Sequence, residues 1–130
     1  MIKTYASYAD IKAICPFIDQ LQPGEDEFFV QRVAANIWLD NAVRAATGGH
    51  TRHSVVACPR VVRACAYKAA SEILMTQITP MQSDNAYEHM AAKFQRVAES
   101  ELTTMTVRTR CDGESSHHID LSVHKRGYHG

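Results

Sequence analysis

The sequence has no surplus of charge. Fourteen lysines and arginines balance fourteen aspartates and glutamates, so no overall field draws the chain toward nucleic acid or an anionic membrane. Low net charge also does little to keep copies apart, which suits a protein that lives in an assembly. Long apolar runs are missing too: none approaches the ~20 residues that cross a bilayer, and no membrane partner is expected. The opening MIKTYASYAD lacks the apolar core of a signal peptide, so the expected compartment is the cytosol. Cys15, Cys58, Cys65 and Cys111 form no CxxC pair. In a reducing compartment they are expected as free thiols, with Cys65 a small core residue. Catalytic signatures are absent as well: there is no GxSxG, HExxH, GxxxxGK[ST] or GxGxxG. The expectation is a protein without enzymatic activity and without a cofactor.

What is present is helical periodicity. Across 83–105 the apolar residues Tyr87, Met90, Ala91, Phe94, Val97, Ala98, Leu102 and Met105 step by threes and fours, one stripe of an α-helix. Glu88, Lys93, Gln95, Arg96, Glu99 and Glu101 occupy the other face, and Ser83 or Asp84 can cap the first turn. Such a helix loses too much entropy to stand alone and must pack on something.

Earlier in the chain, Ser7-Tyr8-Ala9-Asp10 reads as a capping box with aspartate in place of glutamate. It opens a short helix with Ile11 and Ile14 buried, stopped by Pro16. Residues 17–22 read as a linker anchored by Phe17, Ile18 and Leu21, and Pro23-Gly24 marks a turn. A second long helix is expected over 25–47, with Glu25, Asp26 and Glu27 at the positive end of its dipole. Its stripe of Phe29, Val33 and Ile37 is widened by Phe28, Val30, Ala34, Trp38 and Ala42, broad enough for contacts on more than one side. Gly48-Gly49 closes it. Residues 50–56 have no periodicity and read as an exposed loop. Pro59 heads a third helix to about residue 79, whose face of Val62, Cys65, Ala66, Ala69 and Ile73 permits close approach.

After Met105 the period shortens to two: Ile119, Leu121 and Val123 alternate with Asp120, Ser122 and His124, and Asp112-Gly113 supplies a turn. The expected fold is therefore mainly α: an antiparallel helical bundle of about four helices over 1–105, with an extended or β-hairpin C-terminal arm over 106–130. Such an arm is too small to be stable unless it lies on something else. If it is a docking tail, the bundle is expected to survive its removal.

Seven histidines raise a metal-binding alternative, with His50 and His53 three apart and His117-His118 adjacent. No pair has the spacing of a zinc site, so solvated histidines are the plainer reading. His89 is expected to be exposed. Asp112-Gly113-Glu114 lacks the alternating ligands of a calcium loop. Arg108, Arg110, Lys125 and Arg126 cluster modestly, but against the tail's three carboxylates they leave a net charge of only +1, too little for a DNA-binding arm. A small cytosolic helical regulator or DNA-binding protein is the other alternative; it would need a basic recognition helix, and none of the four is basic.

The order of these parts resembles the small head–tail connector proteins of tailed bacteriophages, also called head-completion or adaptor proteins. The resemblance rests on the opening TYASYADIKAI, the acidic-start helix, CPRVVRACAYKAASEIL, YEHMAAKFQRVAESEL and a DG turn ahead of IDLSV. The family helix A-x-x-[FY]-x-x-x-A-E-x-E-L corresponds to Ala91, Phe94, Ala98, Glu99, Glu101 and Leu102. The family's acidic, glycine-rich turn is reduced here to Cys111-Asp112-Gly113-Glu114, and the histidine-rich ending 123–130 departs from its pattern.

The resemblance implies a structural virion protein made in the host cytoplasm and placed in the neck. There it forms a homo-oligomeric ring, commonly dodecameric, under the portal protein. A stopper or tail terminator protein attaches below, and genomic DNA passes through. It implies portal or neighbour docking by the tail, here Val107, Arg108, Arg110, Ile119, Leu121, Val123, Lys125 and Arg126. Inter-subunit or core faces are expected at Phe29, Val33, Ile37 and Trp38 and at Tyr87, Met90, Phe94, Val97 and Leu102. The loop with His50, Arg52 and His53 is expected to face the lumen or the tail.

Overall fold

Helix α1 (Tyr8–Ile14) begins where the capping chemistry dictates. Ser7 Oγ accepts the Asp10 backbone N–H at 3.2 Å, and Asp10 Oδ2 accepts the Ser7 N–H at 2.8 Å. Pro16 ends this helix and opens a 3-10 helix (Pro16–Leu21) where a linker was expected. Residues three apart eclipse in that geometry, which sends Ile18 and Leu21 together into the core. The structure is a computed structural model that describes residues 3–46, 54–77, 86–110 and 116–121.

Helix α2 (Phe29–Ala46) starts four residues later than its acidic lead-in suggests. Asp26 Oδ1 accepts the Phe28 N–H at 3.3 Å, a local bond that competes with the helix. Glu27 and Phe28 take left-handed φ angles of 50° and 59°, at about 1–2 kcal/mol each. The Arg32 guanidinium offsets this by donating to the carbonyls of Glu27 (3.0 Å) and Asp26 (3.1 Å). Phe28 is buried, stacked on Tyr8.

Helix α3 (Pro59–Met75) lies against α1, α2 and α4 (Ala86–Thr104), forming with α4 the expected antiparallel hairpin. Ala64, Cys65, Ala69, Ala70, Ile73 and Leu74 are sealed from solvent. Most are small, and two show how near the backbones come. Ser71 Oγ donates to the Ala91 carbonyl of α4 at 2.9 Å, and Cys65 Sγ lies 3.9 Å from the Ala35 carbonyl of α2. At its far end Thr76 Oγ1 donates to the Ile73 carbonyl at 2.6 Å, so α3 stops short of the expected residue 79. The start of α4 expected at Ser83 or Asp84 lies outside the described residues. Arg60 and Arg63 both pair with Glu101, and Arg60 also donates to the Thr104 carbonyl at 3.2 Å. That puts a cation at the negative end of the α4 dipole.

Three strands form one antiparallel sheet in the order β1 (Ser54–Val56), β2 (Thr106–Arg110), β3 (Ser116–Asp120). Val55 pairs with Thr109, and Val107 with Ile119. The expected hairpin is present, but two expectations change. Residues 54–56 of the supposed loop are a strand that supplies the hairpin's third partner. The arm does not leave the bundle within the described residues: Val107 and Leu121 are buried in the chain's own core, and the Leu121 N–H donates to the Met105 carbonyl at 3.2 Å.

Two stability outcomes follow. Leucine at Ala69 forces α3 away from its neighbours and should cost about 1–3 kcal/mol, read as a lower midpoint in urea with unchanged slope. Truncation before Thr106 strips Val107 and Leu121 from the core and leaves β1 unpaired. Contrary to the docking-tail expectation, it should cost at least about 3 kcal/mol and lower the melting temperature markedly.

Candidate interaction surface

Helix α2 has a core face of Ala35, Asn36, Leu39 and Val43. A surface helix ordinarily carries charge on the opposite side. Here that side is apolar: Val30 is 68% exposed and Ile37 55%, with Val33 and Ala34 partly exposed between them. Polar groups enter only near the C-terminal end, at Asn41 and Arg44. Phe29 and Trp38 flank the strip under cations, Arg32 over the Phe29 ring and Lys68 over the Trp38 ring. Both rings are held in place from their own chain.

A third stripe of α2 binds the N-terminal segment. Arg32, Asn36 and Asp40 are four residues apart and so line up along the helix. Asn36 Oδ1 accepts the Tyr5 N–H at 2.9 Å while its Nδ2 donates to the Lys3 carbonyl at 3.1 Å. Arg32 Nη1 donates to Thr4 Oγ1 at 2.8 Å, and the Tyr5 hydroxyl donates to Asp40 Oδ1 at 2.6 Å. Burial and then the Asp40 carboxylate push the Tyr5 hydroxyl well above its usual range. Sequence reasoning passed over this ladder. Its signal was three polar residues at a spacing of four, Arg32, Asn36 and Asp40, along one side of the helix.

The surplus apolar surface expected on α4 is largely used within the chain. Phe94, Ala91 and Ala98 are buried, and Tyr87, Met90 and Leu102 lie partly buried against the core. Tyr87 stacks on Phe17 at 6.5 Å, and Tyr67 meets Phe94 edge-on at 5.5 Å. Val97 is half-buried and His89 exposed. Of the tail residues, Val107 and Leu121 are buried in the chain's own core. Arg108 is exposed in the central strand, in register with Val56 and His118. Arg110 and Ile119 lie in β2 and β3. Val123, Lys125 and Arg126, and the loop residues His50, Arg52 and His53, lie outside the described residues.

Reactive chemistry is sparse in what remains. Among the described residues no three His, Cys, Asp or Glu side chains gather to hold a metal. Burial pushes the Cys15 thiol up to about 11 and the Cys65 thiol up to about 12, so neither is a thiolate nucleophile at neutral pH. An open cleft of about 650 Å³ lies between α1 and the start of α3, with Ile14, Cys58, Pro59 and Val62 in its walls. Its charged groups already have structural tasks. Asp10 holds the capping box, and Arg63 pairs with Glu101 and covers Tyr67. No described helix is long and apolar enough to cross a membrane. The outer strip of α2 is thus the surface whose chemistry asks for a partner. Compared with family models, curated proteins and solved structures, the chain matches none.

One titration tests the local electrostatics. A hydrogen-bonded ion pair with Lys12, then the Tyr8 hydroxyl, holds the Asp19 carboxyl below its usual range. A depressed folded pKa stabilises above the unfolded value and is lost as pH falls through the folded one. Wild type should therefore melt slightly above Asp19→Asn at pH 7, with the gap closing below the ordinary carboxylate range.

Proposed function

We propose that the chain is a structural subunit of a phage head–tail connector, a ring of identical copies between the DNA-filled capsid and the tail. The observation that carries this reading is the outer strip of α2, apolar over Val30, Val33, Ala34 and Ile37 on a helix whose other faces are already engaged. A ring needs a heterologous contact, one face of each copy on a different face of the next. The α2 strip supplies one half of such a contact. The element order and the YEHMAAKFQRVAESEL helix support the same family.

In this reading the portal lies on one side, a stopper or tail terminator on the other, and the genome crosses the middle, with twelve copies the family's common number. An even charge balance suits that passage, because a strongly basic lumen would grip phosphate instead of letting it slide. The hairpin is part of each subunit's own body, so attachment to the portal falls to the segment beyond Leu121, with Val123, Lys125 and Arg126, and to the exposed Arg108. No enzymatic step or cofactor belongs to this role.

The test is electron microscopy of purified portal rings with and without the protein. Wild type should add a closed ring of density to one face of the portal. Ile37→Asp, a surface change expected to keep the helical circular dichroism, should remove it. Portal rings that stay bare with wild-type protein overturn the proposal.

A further inference from the structure

The outward crest of α4 carries cations that the fold leaves without counter-charges. His89, Lys93, Arg96 and Ser100 are all exposed. At about 100° per residue they fall within ~30° of one line along the helix, opposite buried Ala91, Phe94 and Ala98. The carboxylates of α4 lie on its flanks and have partners. Glu101 takes Arg60 and Arg63, Glu99 Oε1 accepts from Gln95 Nε2 at 3.0 Å, and Glu88 is engaged as well. Lys93 and Arg96 form no ion pair among the described residues. Like charges three residues apart weaken a helix, and no described carboxylate offsets them.

From this arrangement we propose that the α4 crest is a contact for the phosphate backbone of duplex DNA, made without regard to sequence. His89 to Ser100 spans about 16.5 Å of helix, close to five phosphate steps of ~3.4 Å along one strand. Lysine, arginine and serine are side chains that meet phosphate oxygens and fix position without reading bases. The crest bears no large apolar or aromatic side chain, whereas the core of a protein interface is built on such anchors and is poor in lysine. Gln95, the nearest side-chain amide, accepts from Lys68 Nζ at 2.9 Å and donates to Glu99, so it is not free to read an adenine edge. Two full charges make a weak contact. That fits a chain of zero net charge, which holds DNA loosely and does not grip it.

This contact does not depend on the connector reading. Where both hold, the α4 crest faces the channel and each copy adds one loose guide for the passing genome. Amide NMR of the isotope-labelled full chain, titrated with a short mixed-sequence DNA duplex at about 20 mM salt, reads it directly. Shifts should concentrate on residues 89–100. Affinity should fall by about fifty- to a hundredfold at ~200 mM salt, a slope near −2 for two neutralised phosphates. Lys93→Glu combined with Arg96→Glu should abolish the response with unchanged helicity, and Arg108→Glu should preserve it. Lys93→Gln alone should weaken binding severalfold and reduce the salt slope by about one, a comparison that holds even if the double reversal misfolds. Absent shifts at low salt, or shifts centred on another face, would overturn the proposal. So would a stronger response to poly-glutamate than to DNA at equal charge, which would assign the crest to an acidic protein. None of these outcomes bears on whether rings form on the portal.

Discussion

The nearness of three helix backbones to α3 is the condition on which the rest of this structure depends. Ala64, Ala69 and Ala70 occupy positions where larger side chains would hold the helices apart, and Ser71 can bond an α4 carbonyl only because that carbonyl is within hydroxyl reach. Once α3 and α4 are locked in this way, the end of α4 is fixed against the start of α3 by Arg60 and Glu101. Met105 then delivers β2 alongside β1, and the sheet forms where the hairpin ends. The seam along α3, lined largely by small residues, offers modest apolar burial per residue but dense contact, and it is correspondingly intolerant of added volume.

Helix α2 stands apart because its faces do three different jobs. One packs on α3, one holds the first residues of the chain through Arg32, Asn36 and Asp40, and one is left apolar and outward. The polar ladder matters for the outward strip. By fixing the N-terminal segment on a separate stripe, it keeps that segment from covering Val30 and Ile37. The two left-handed residues before the helix have a similar effect, aiming the chain so that Phe28 enters the core while its acidic neighbours stay in water.

Much of the helical frame was legible from spacing alone. Capping at Ser7, proline at the head of α3 and the 3.6-residue period of α4 each reflect local physics that the tertiary fold does not override. The departures have equally local causes. A three-residue strand at Ser54–Val56 is too short to show alternation, so only its partner reveals it. The acidic run at 25–27 resembles a helix start, yet Asp26 bonds its own backbone and delays it. Apolar alternation at Ile119, Leu121 and Val123 signalled a buried face without saying whose core would bury it; for Leu121, and for Val107 in the strand before it, the core is the chain's own. The outward strip of α2 was visible as a stripe too wide for one packing partner, whereas the polar ladder beside it is interleaved with Gln31, Asn41 and Arg44 and does not stand out as a face.

The bond between the Leu121 N–H and the Met105 carbonyl has a mechanical meaning. It closes the hairpin at its open end, next to the point where α4 passes into β2. Any tension applied beyond residue 121 enters the sheet at that end. Strands loaded from one shared end separate like a zip, rung after rung, and resist far less than strands dragged lengthwise past each other. A subunit built this way tolerates little pull entering at Leu121 unless β3 is clamped in place.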